Sequence, residues 1–583
     1  MRAVPRLFLR LARLAQALAP LSTVALSMAC TPTATAPSAS ADLTRHPVVV
    51  TIVVDQLAAW VADERWPLLP ESGGFARLRR EGTRVRAMRY EHAVTDTAPG
   101  HSALYTGAVP AVSGIFANEV LGTDGTASSI LKDGTTRLLT SDAAPSTRAG
   151  SSLAALRVDT VADRLRAEQP DAVILSFSLK DRGALFAGGR HPTAALWHDT
   201  QDNRFVTSSA VAPAFPSWAT PFAADALARA EGSTWTLLDP AWVEAHAATP
   251  DAEAGEGDHP GYGIVFPHSL ARAKNPAFAF RMSPFADDVL LMLGLYALKA
   301  EHAEAHTTLL ALSLSANDYI GHAFGPDSWE AWDEIARLDR SLARFLTVLD
   351  EAFGRDGYSV LLTADHGTNP MPEVGRHRYC DGPDPWKRAC DAAHRVMPGE
   401  LASALKASSV AALGPGDWVT GVSDPYVYLS ASARALDAAR RETLREALRK
   451  TLVAVPGVAT VYDVSAIPTS CPPFADESID ALVCRSVAPG ARERGAEFYV
   501  VLGPGSFFDP TVIVGTGTSH GSPYFYDRTV PLVVRAPGRV AAGRVVDTTT
   551  FDTFARTASD LLGIAPPAAA TGAASLATAL PHR

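Results

Sequence analysis

The sequence predicts an α/β fold, a three-layer sandwich with a mostly parallel central sheet, carrying an inserted cap and a small α+β subdomain. Three observations lead there. Residues 47–54 (PVVVTIVV) are a continuous β-branched run, the mark of a strand buried on both faces. Residues 308–316 (TLLALSLSA), 358–364 (YSVLLTA) and 530–535 (VPLVVR) repeat that pattern. Helical periodicities lie between them, over 286–304 and 327–353, and strands alternating with helices build a parallel sheet. Ligands in such folds bind beyond the carboxyl ends of the strands. Three of these runs lead into an acid there: Asp55, Asp318 and Asp365.

The 583 residues suffice for one large domain with insertions or for two to three domains; we place the catalytic domain at 42–565. Within it, residues 183–285 are rich in Trp, Pro, Gly and Ala with few clear strands, as expected of a cap. Residues 425–465 read strand, long helix, strand. With the loop 466–492 they form a small α+β insertion, 425–492, closed by a disulfide loop. The Ala/Thr/Pro-rich tail, 566–583, is expected to fray. Composition is that of a globular protein, 47% hydrophobic and 20% charged. A net charge of −10 argues against nucleic acid as a partner. It permits an anionic substrate, because metals, Lys and Arg can reverse the sign inside one cleft.

Residues 1–41 read as an export segment. Arg2, Arg6, Arg10 and Arg13 precede an apolar stretch at 14–29 that is too short for a membrane span. Two processing readings stand. One is cleavage after Ala39-Ser40-Ala41. The other is lipidation at Cys30, where Leu26-Ser27-Met28-Ala29-Cys30 resembles a degenerate lipobox and 31–42 would be a flexible tether. Of five cysteines, Cys380 and Cys390 are close in sequence, as are Cys471 and Cys484. Two local disulfides in an oxidising compartment leave Cys30 as the odd one. The expected location is the periplasm or, through a lipid on Cys30, the outer membrane.

Six residues suggest metal chemistry. Asp55 ends a strand. Asp318 and His322 sit in N-D-Y-I-G-H, Asp365 and His366 in T-A-D-H-G, and His520 in G-T-G-T-S-H-G-S. Mixed carboxylate and imidazole ligation, about three ligands per ion with a position left open, fits two catalytic zinc ions. All-carboxylate ligation would have suggested Mg²⁺ or Ca²⁺. A second constellation is Thr95-Asp96-Thr97-Ala98-Pro99-Gly100-His101, where Pro99 and Gly100 suggest that a helix begins near Thr97. A hydroxyl at a helix N-terminus beside a metal is poised to ionise and to meet an anion. Taken alone, Thr97 reads best as an ordinary N-cap.

Together these motifs resemble the alkaline phosphatase superfamily, in the branch holding the nucleotide pyrophosphatase/phosphodiesterases and the bacterial phosphate-irrepressible alkaline phosphatases. The signature T-x-P-x-H…T-G…P…G-I-x-x-N stands here as Thr97 to His101, Thr106-Gly107, Pro110 and Gly114 to Asn118. The resemblance runs from about 47 to 565. It implies that Asp318, His322 and His520 hold one zinc. Asp55, Asp365 and His366 would hold the other, with Thr97 as its nucleophilic ligand, and Asn118 would donate to a phosphoryl oxygen. It also implies that Lys180 and Arg182, in the strand end 175–182, bind the transferred phosphoryl group; Asp181, between the two cations, is expected to orient them. Two fixed cations favour a monoester dianion over a diester monoanion, and Arg can grip it bidentately. The expected activity is therefore zinc-dependent hydrolysis of small phosphate monoesters through a phosphothreonine, by a monomer. The alternative is a phosphodiesterase or nucleotide pyrophosphatase on the same two metals.

Overall fold

The computed structural model describes residues 46–122, 124–142, 146–374, 393–509 and 517–578. The export segment with Cys30, and the Cys380–Cys390 pair, lie outside the described residues. Eleven strands form the central sheet. In chain order they are β1 (Val48–Val54), β2 (Thr83–Arg89), β3 (Lys132–Leu139), β4 (Ala149–Ser151), β5 (Val173–Ser178), β6 (Ala194–Asp199), β7 (Arg204–Ser208), β8 (Thr308–Leu314), β9 (Ser359–Thr363), β10 (Thr529–Arg535) and β11 (Val545–Thr550). Across the sheet the order is β11-β2-β10-β9-β1-β8-β5-β6-β7-β3-β4.

The middle of the sheet, β9-β1-β8-β5-β6, is parallel. β10 enters antiparallel to β9 and β2, and β7, β3 and β4 continue antiparallel on the other side. The sheet is thus mixed, with a parallel heart. Its core strands β1 and β8 are buried at every residue, as the β-branched and leucine-rich runs require.

Helices cover both faces. They include α1 (Thr97–Thr106), α2 (Asp181–Gly188), α3 (Pro284–Glu301), α4 (Ala316–Phe324), α5 (Trp329–Phe353) and α6 (Asp552–Leu562). Two glycines show the layering. A Cβ on Gly183 of α2 would meet the Ser313 side chain, and one on Gly294 of α3 would meet Leu310 and Leu312. Neighbouring residues of a strand point to opposite faces, so α2 and α3 lie on opposite sides of β8.

The insertions differ from their sequence description in three respects. Part of 183–285 is not cap, because β6 and β7 extend the central sheet. The remainder is largely loop, with the helices Ala219–Glu231, Pro240–His246 and Pro276–Arg281. The small α+β unit reaches beyond 425–492. Its four-stranded antiparallel sheet recruits Val419–Ser423 and Ala496–Leu502 beside Tyr426–Leu429 and Val458–Asp463. The tail over 566–578 is packed rather than frayed. Asp552 accepts from the backbone of Gly572 and Ala573, and Arg556 donates to the Ala570 carbonyl. Cys471 and Cys484 are joined as a disulfide.

Candidate active site

Four adjacent parallel strands deliver the chemistry to one edge of the sheet. β1 runs into Asp55, β8 into α4 with Asp318 and His322, β9 into Asp365 and His366, and β5 into Lys180 at the head of α2. His520 arrives from the 517–524 loop, and Thr97 is the first residue of α1. All six acids and imidazoles predicted as ligands come together with Thr97 and Lys180.

Among the described residues two groups have donor atoms close enough to hold a cation: Asp318, His322 and His520, and Asp55, Asp318 and His366. Asp318 belongs to both. Its Oδ1 lies 3.2 Å from His322 Nε2 and 3.5 Å from His520 Nε2. His366 Nε2 is 3.4 Å from Asp55 Oδ1, 3.5 Å from Asp365 Oδ2 and 3.5 Å from Thr97 Oγ1. Lys180 Nζ reaches Asp55 at 2.7 Å, Asp318 at 2.5 Å and Thr97 Oγ1 at 3.2 Å.

These residues suit metal ions. The Nδ1 of each of the three histidines faces a backbone carbonyl: Thr518 at 2.8 Å, Thr95 at 2.9 Å and Gly367 at 3.0 Å. That contact places the proton on Nδ1 and leaves Nε2 as the ligand atom. Asp55 and Asp365 are fully buried, Asp55 against the Lys180 ammonium and Asp365 beside the His101 imidazole. Buried carboxylates require compensating positive charge. The ionisation balance points the same way. Burial works against charge on His366, yet Asp365 and Asp55 outweigh it and raise that imidazole to about 10. Burial likewise opposes ionisation of Asp318, but Lys180 and His322 hold its carboxyl well below the usual range. The cluster draws positive charge to itself.

Thr97 is not the cap of its helix. That position falls to Asp96, whose side chain makes no capping bond. The amide of Ala98 instead donates to Asn118 Oδ1 at 2.7 Å, which leaves the Asn118 amide nitrogen free to donate elsewhere. Gly100 lets α1 lie directly on the turn that carries Asp365 and His366, since a Cβ there would stand 2.1 Å from the Asp365 carbonyl oxygen. Arg182 lies on the first turn of α2, 3.7 Å from the Asp181 carboxylate. Burial opposes its charge, but Asp181, Tyr319 and Asp55 outweigh that and raise it. Asp181 is itself held by Ser151 Oγ at 2.8 Å.

Sequence reasoning left three residues of the site without a role. His101 Nδ1 sits 3.0 Å from both the Thr97 carbonyl and Asp365 Oδ2, and its Nε2 sits 3.0 Å from Ser313 Oγ. Gln56 donates its backbone amide to Asp365 at 3.2 Å and its side-chain amide to Asp318 at 3.0 Å. Asn317 holds the Asp55 carbonyl at 2.8 Å. The available signals were adjacency to Asp55 and Asp318, and the place of His101 four residues after Thr97.

A hydroxyl at a helix start, facing a cluster of carboxylates and imidazoles at the ends of parallel strands, defines a phosphoester hydrolase of the alkaline phosphatase superfamily. Within it, the chain belongs to the type I phosphodiesterase / nucleotide pyrophosphatase family, whose model matches residues 49–463. It is 34% identical to the alkaline phosphatase PhoV of Synechococcus elongatus over 58% of this chain and 62% of PhoV. It is 28% identical to a protein of Myroides odoratus named calcium-transporting ATPase, over 91% and 94% of the two chains. It is 26% identical to the alkaline phosphatase PafA of Elizabethkingia meningoseptica over 91% and 93%. The crystal structure of wild-type PafA superposes with a TM-score of 0.78 at 25% identity, covering 91% of this chain and 98% of that one. No helix among the described residues is long and apolar enough to cross a membrane.

Proposed function

We propose that this protein is an alkaline phosphatase: a zinc-dependent phosphomonoesterase that works through a phosphothreonine on Thr97. Asp318, His322 and His520 would hold one ion, and Asp55, Asp365 and His366 the other. Two zinc ions so held supply the charge that lowers the pKa of the Thr97 hydroxyl and stabilises the departing oxygen. Thr97 Oγ1 attacks phosphorus while the bond to the ester oxygen breaks, and water then cleaves the phosphothreonine to release phosphate. Asn118 offers its amide nitrogen to an equatorial oxygen, where charge spreads in the transition state.

The observation that carries the monoester reading is the Lys180 ammonium, 3.2 Å from Thr97 Oγ1. Once cations engage Asp55 and Asp318, this ammonium loses its present partners and becomes available to a phosphoryl oxygen. Together with Arg182 it adds two fixed positive charges, which a dianionic monoester uses and a monoanionic diester does not. The relatives named alkaline phosphatase support the same choice. The family model's own description favours the second reading, a phosphodiesterase or nucleotide pyrophosphatase on the same residues.

Metal analysis with kcat/KM for a monoester and a diester separates the two. Monoester preference, about two bound zinc ions per chain and loss of turnover in Thr97→Ala are expected. Diester preference in the wild type, or Lys180→Ala with intact monoesterase activity, would overturn the assignment. We further propose that the chain is exported and lipidated at Cys30. Mass analysis of the mature N-terminus tests this, and an unmodified N-terminus downstream of Ala41 would refute the lipid.

A further inference from the structure

We infer that Arg281, at the end of a cap helix, is a positioning residue that holds Lys180 in its working place and thereby sets the preference for dianionic phosphate. The inference rests on the monoesterase reading above and adds a residue to it that neither the metal motifs nor the Lys-x-Arg pair includes.

Arg281 stands 101 residues beyond Lys180, yet its fork of donors closes on the backbone beside it. One terminal nitrogen donates to the Leu179 carbonyl at 3.0 Å and to the His198 carbonyl. The other donates to the Tyr319 hydroxyl at 2.8 Å, and Nε donates to His198 Nδ1 at 3.1 Å. Leu179 immediately precedes Lys180, whose own amide is held by Ser178 Oγ at 3.1 Å. The chain that aims Lys180 is therefore pinned on both sides.

The Tyr319 ring makes the second link. Lys180 Nζ lies 5.1 Å from its centroid and the Arg281 guanidinium 5.3 Å, so one electron-rich ring serves both cations. Tyr319 follows the metal-ligand candidate Asp318 on α4. Arg281 thus bears on the phosphate clamp and on the metal-bearing helix through a single side chain.

The acceptor end is rigid as well. His198 receives from Arg281 on Nδ1, so its proton sits on Nε2, 2.9 Å from Asn203 Oδ1. Burial first, and then the Arg281 charge, lower this imidazole to about 3. It therefore stays a neutral acceptor at neutral and alkaline pH. Among the described residues no carboxylate forms an ion pair with Arg281. Its hydrogen bonds all go to uncharged acceptors, which suits a bracket rather than a structural ion pair. Lysine cannot replace it, since a single ammonium does not span this fork.

The test compares wild type, Arg281→Met, Arg281→Lys, Lys180→Ala and the Arg281→Met/Lys180→Ala double variant, each checked for zinc content and thermal stability. We expect Arg281→Met to lose about 10- to 100-fold in monoester kcat/KM, as misplacement of a positioned group does, with little change in diester kcat/KM. Arg281→Lys should recover little. The double variant should fall no further than Lys180→Ala alone, the non-additivity expected of residues acting as one unit. Equal losses on both ester classes, or additive losses in the double variant, would overturn the inference. Calorimetric titration with inorganic phosphate is the independent arm, and Arg281→Met should weaken phosphate binding as Lys180→Ala does. A wild type that prefers diesters sinks the proposed function. The phosphate titration still decides on Arg281, and unchanged phosphate affinity in Arg281→Met would refute its role.

Discussion

Replacing Gly100 with alanine adds one methyl group where α1 touches the turn that carries Asp365 and His366. The new Cβ would stand 2.1 Å from the Asp365 carbonyl oxygen and 3.1 Å from the Asp365 Cβ. Non-bonded carbon and oxygen need more than about 3 Å, so helix and turn must part by roughly 1 Å. The obstructing atom is backbone and cannot rotate aside. Overpacking of this kind costs about 1–3 kcal/mol. A displacement of about 1 Å between nucleophile and ligands can cost on the order of 10²-fold in rate. Gly100→Ala is therefore expected to fold, to unfold at lower denaturant concentration, and to lose most of its turnover on a phosphate ester. Gly107→Ala is the control. It sits at the other end of α1 with φ 69°, and its Cβ would meet Ala570 at 2.3 Å, so it should lower stability while sparing kcat. A Gly100→Ala protein within threefold of wild-type kcat would refute the idea that this close approach sets the position of Thr97.

Other outcomes follow from the same geometry. His101→Ala removes the imidazole beside Asp365 and Thr97 and should weaken zinc binding about 10- to 100-fold in competition with a chelator; wild-type affinity would refute it. Breaking the Cys471–Cys484 bond, whose sequence separation is 13, should cost about 3 kcal/mol in urea unfolding, and identical curves with and without reductant would refute that. Burial, then Arg528 and Arg485, lower His92 from 6.5 to about 3. As pH falls below 6.5 the unfolded chain takes up this proton first, so stability is lost down to about pH 3 and the loss is about 2 kcal/mol at pH 5. His92→Phe should remove that loss; the same stability difference from wild type at pH 5 and pH 7.5 would show that His92 does not titrate in this way.

The parts of the molecule legible in the sequence are those in which local pattern and function share one segment. A buried β-branched run that stops at an acid is both a parallel strand and a site, which is why Asp55, Asp318 and Asp365 could be read together with β1, β8 and β9. The margin of the sheet offered no such pattern. β3 reads KDGTTRLL, and β6 and β7 are short strands within a region whose composition suggests a cap. The tail looked free because its partners, Asp552 and Gly107, are contacts that periodicity does not encode. Arg281 was hidden for the same reason, since only the fold brings it to Leu179 and Tyr319.

Thr97 shows how the two kinds of information combine. By sequence, a threonine at a helix start reads best as a cap. The helix itself sets that reading aside. Thr97 occupies the first helical position, and the Ala98 amide is satisfied from outside by Asn118 Oδ1. The threonine hydroxyl makes no capping bond; its neighbours are Lys180 Nζ and His366 Nε2. In the proposed mechanism Asn118 does two things with one amide group. Its oxygen takes over the capping of α1, and its nitrogen would serve the phosphoryl group. An Asn118→Asp substitution would keep the first role and lose the second, whereas Asn118→Ala would lose both. Loss of activity in Asn118→Asp with helix stability retained is what a cap alone would not produce.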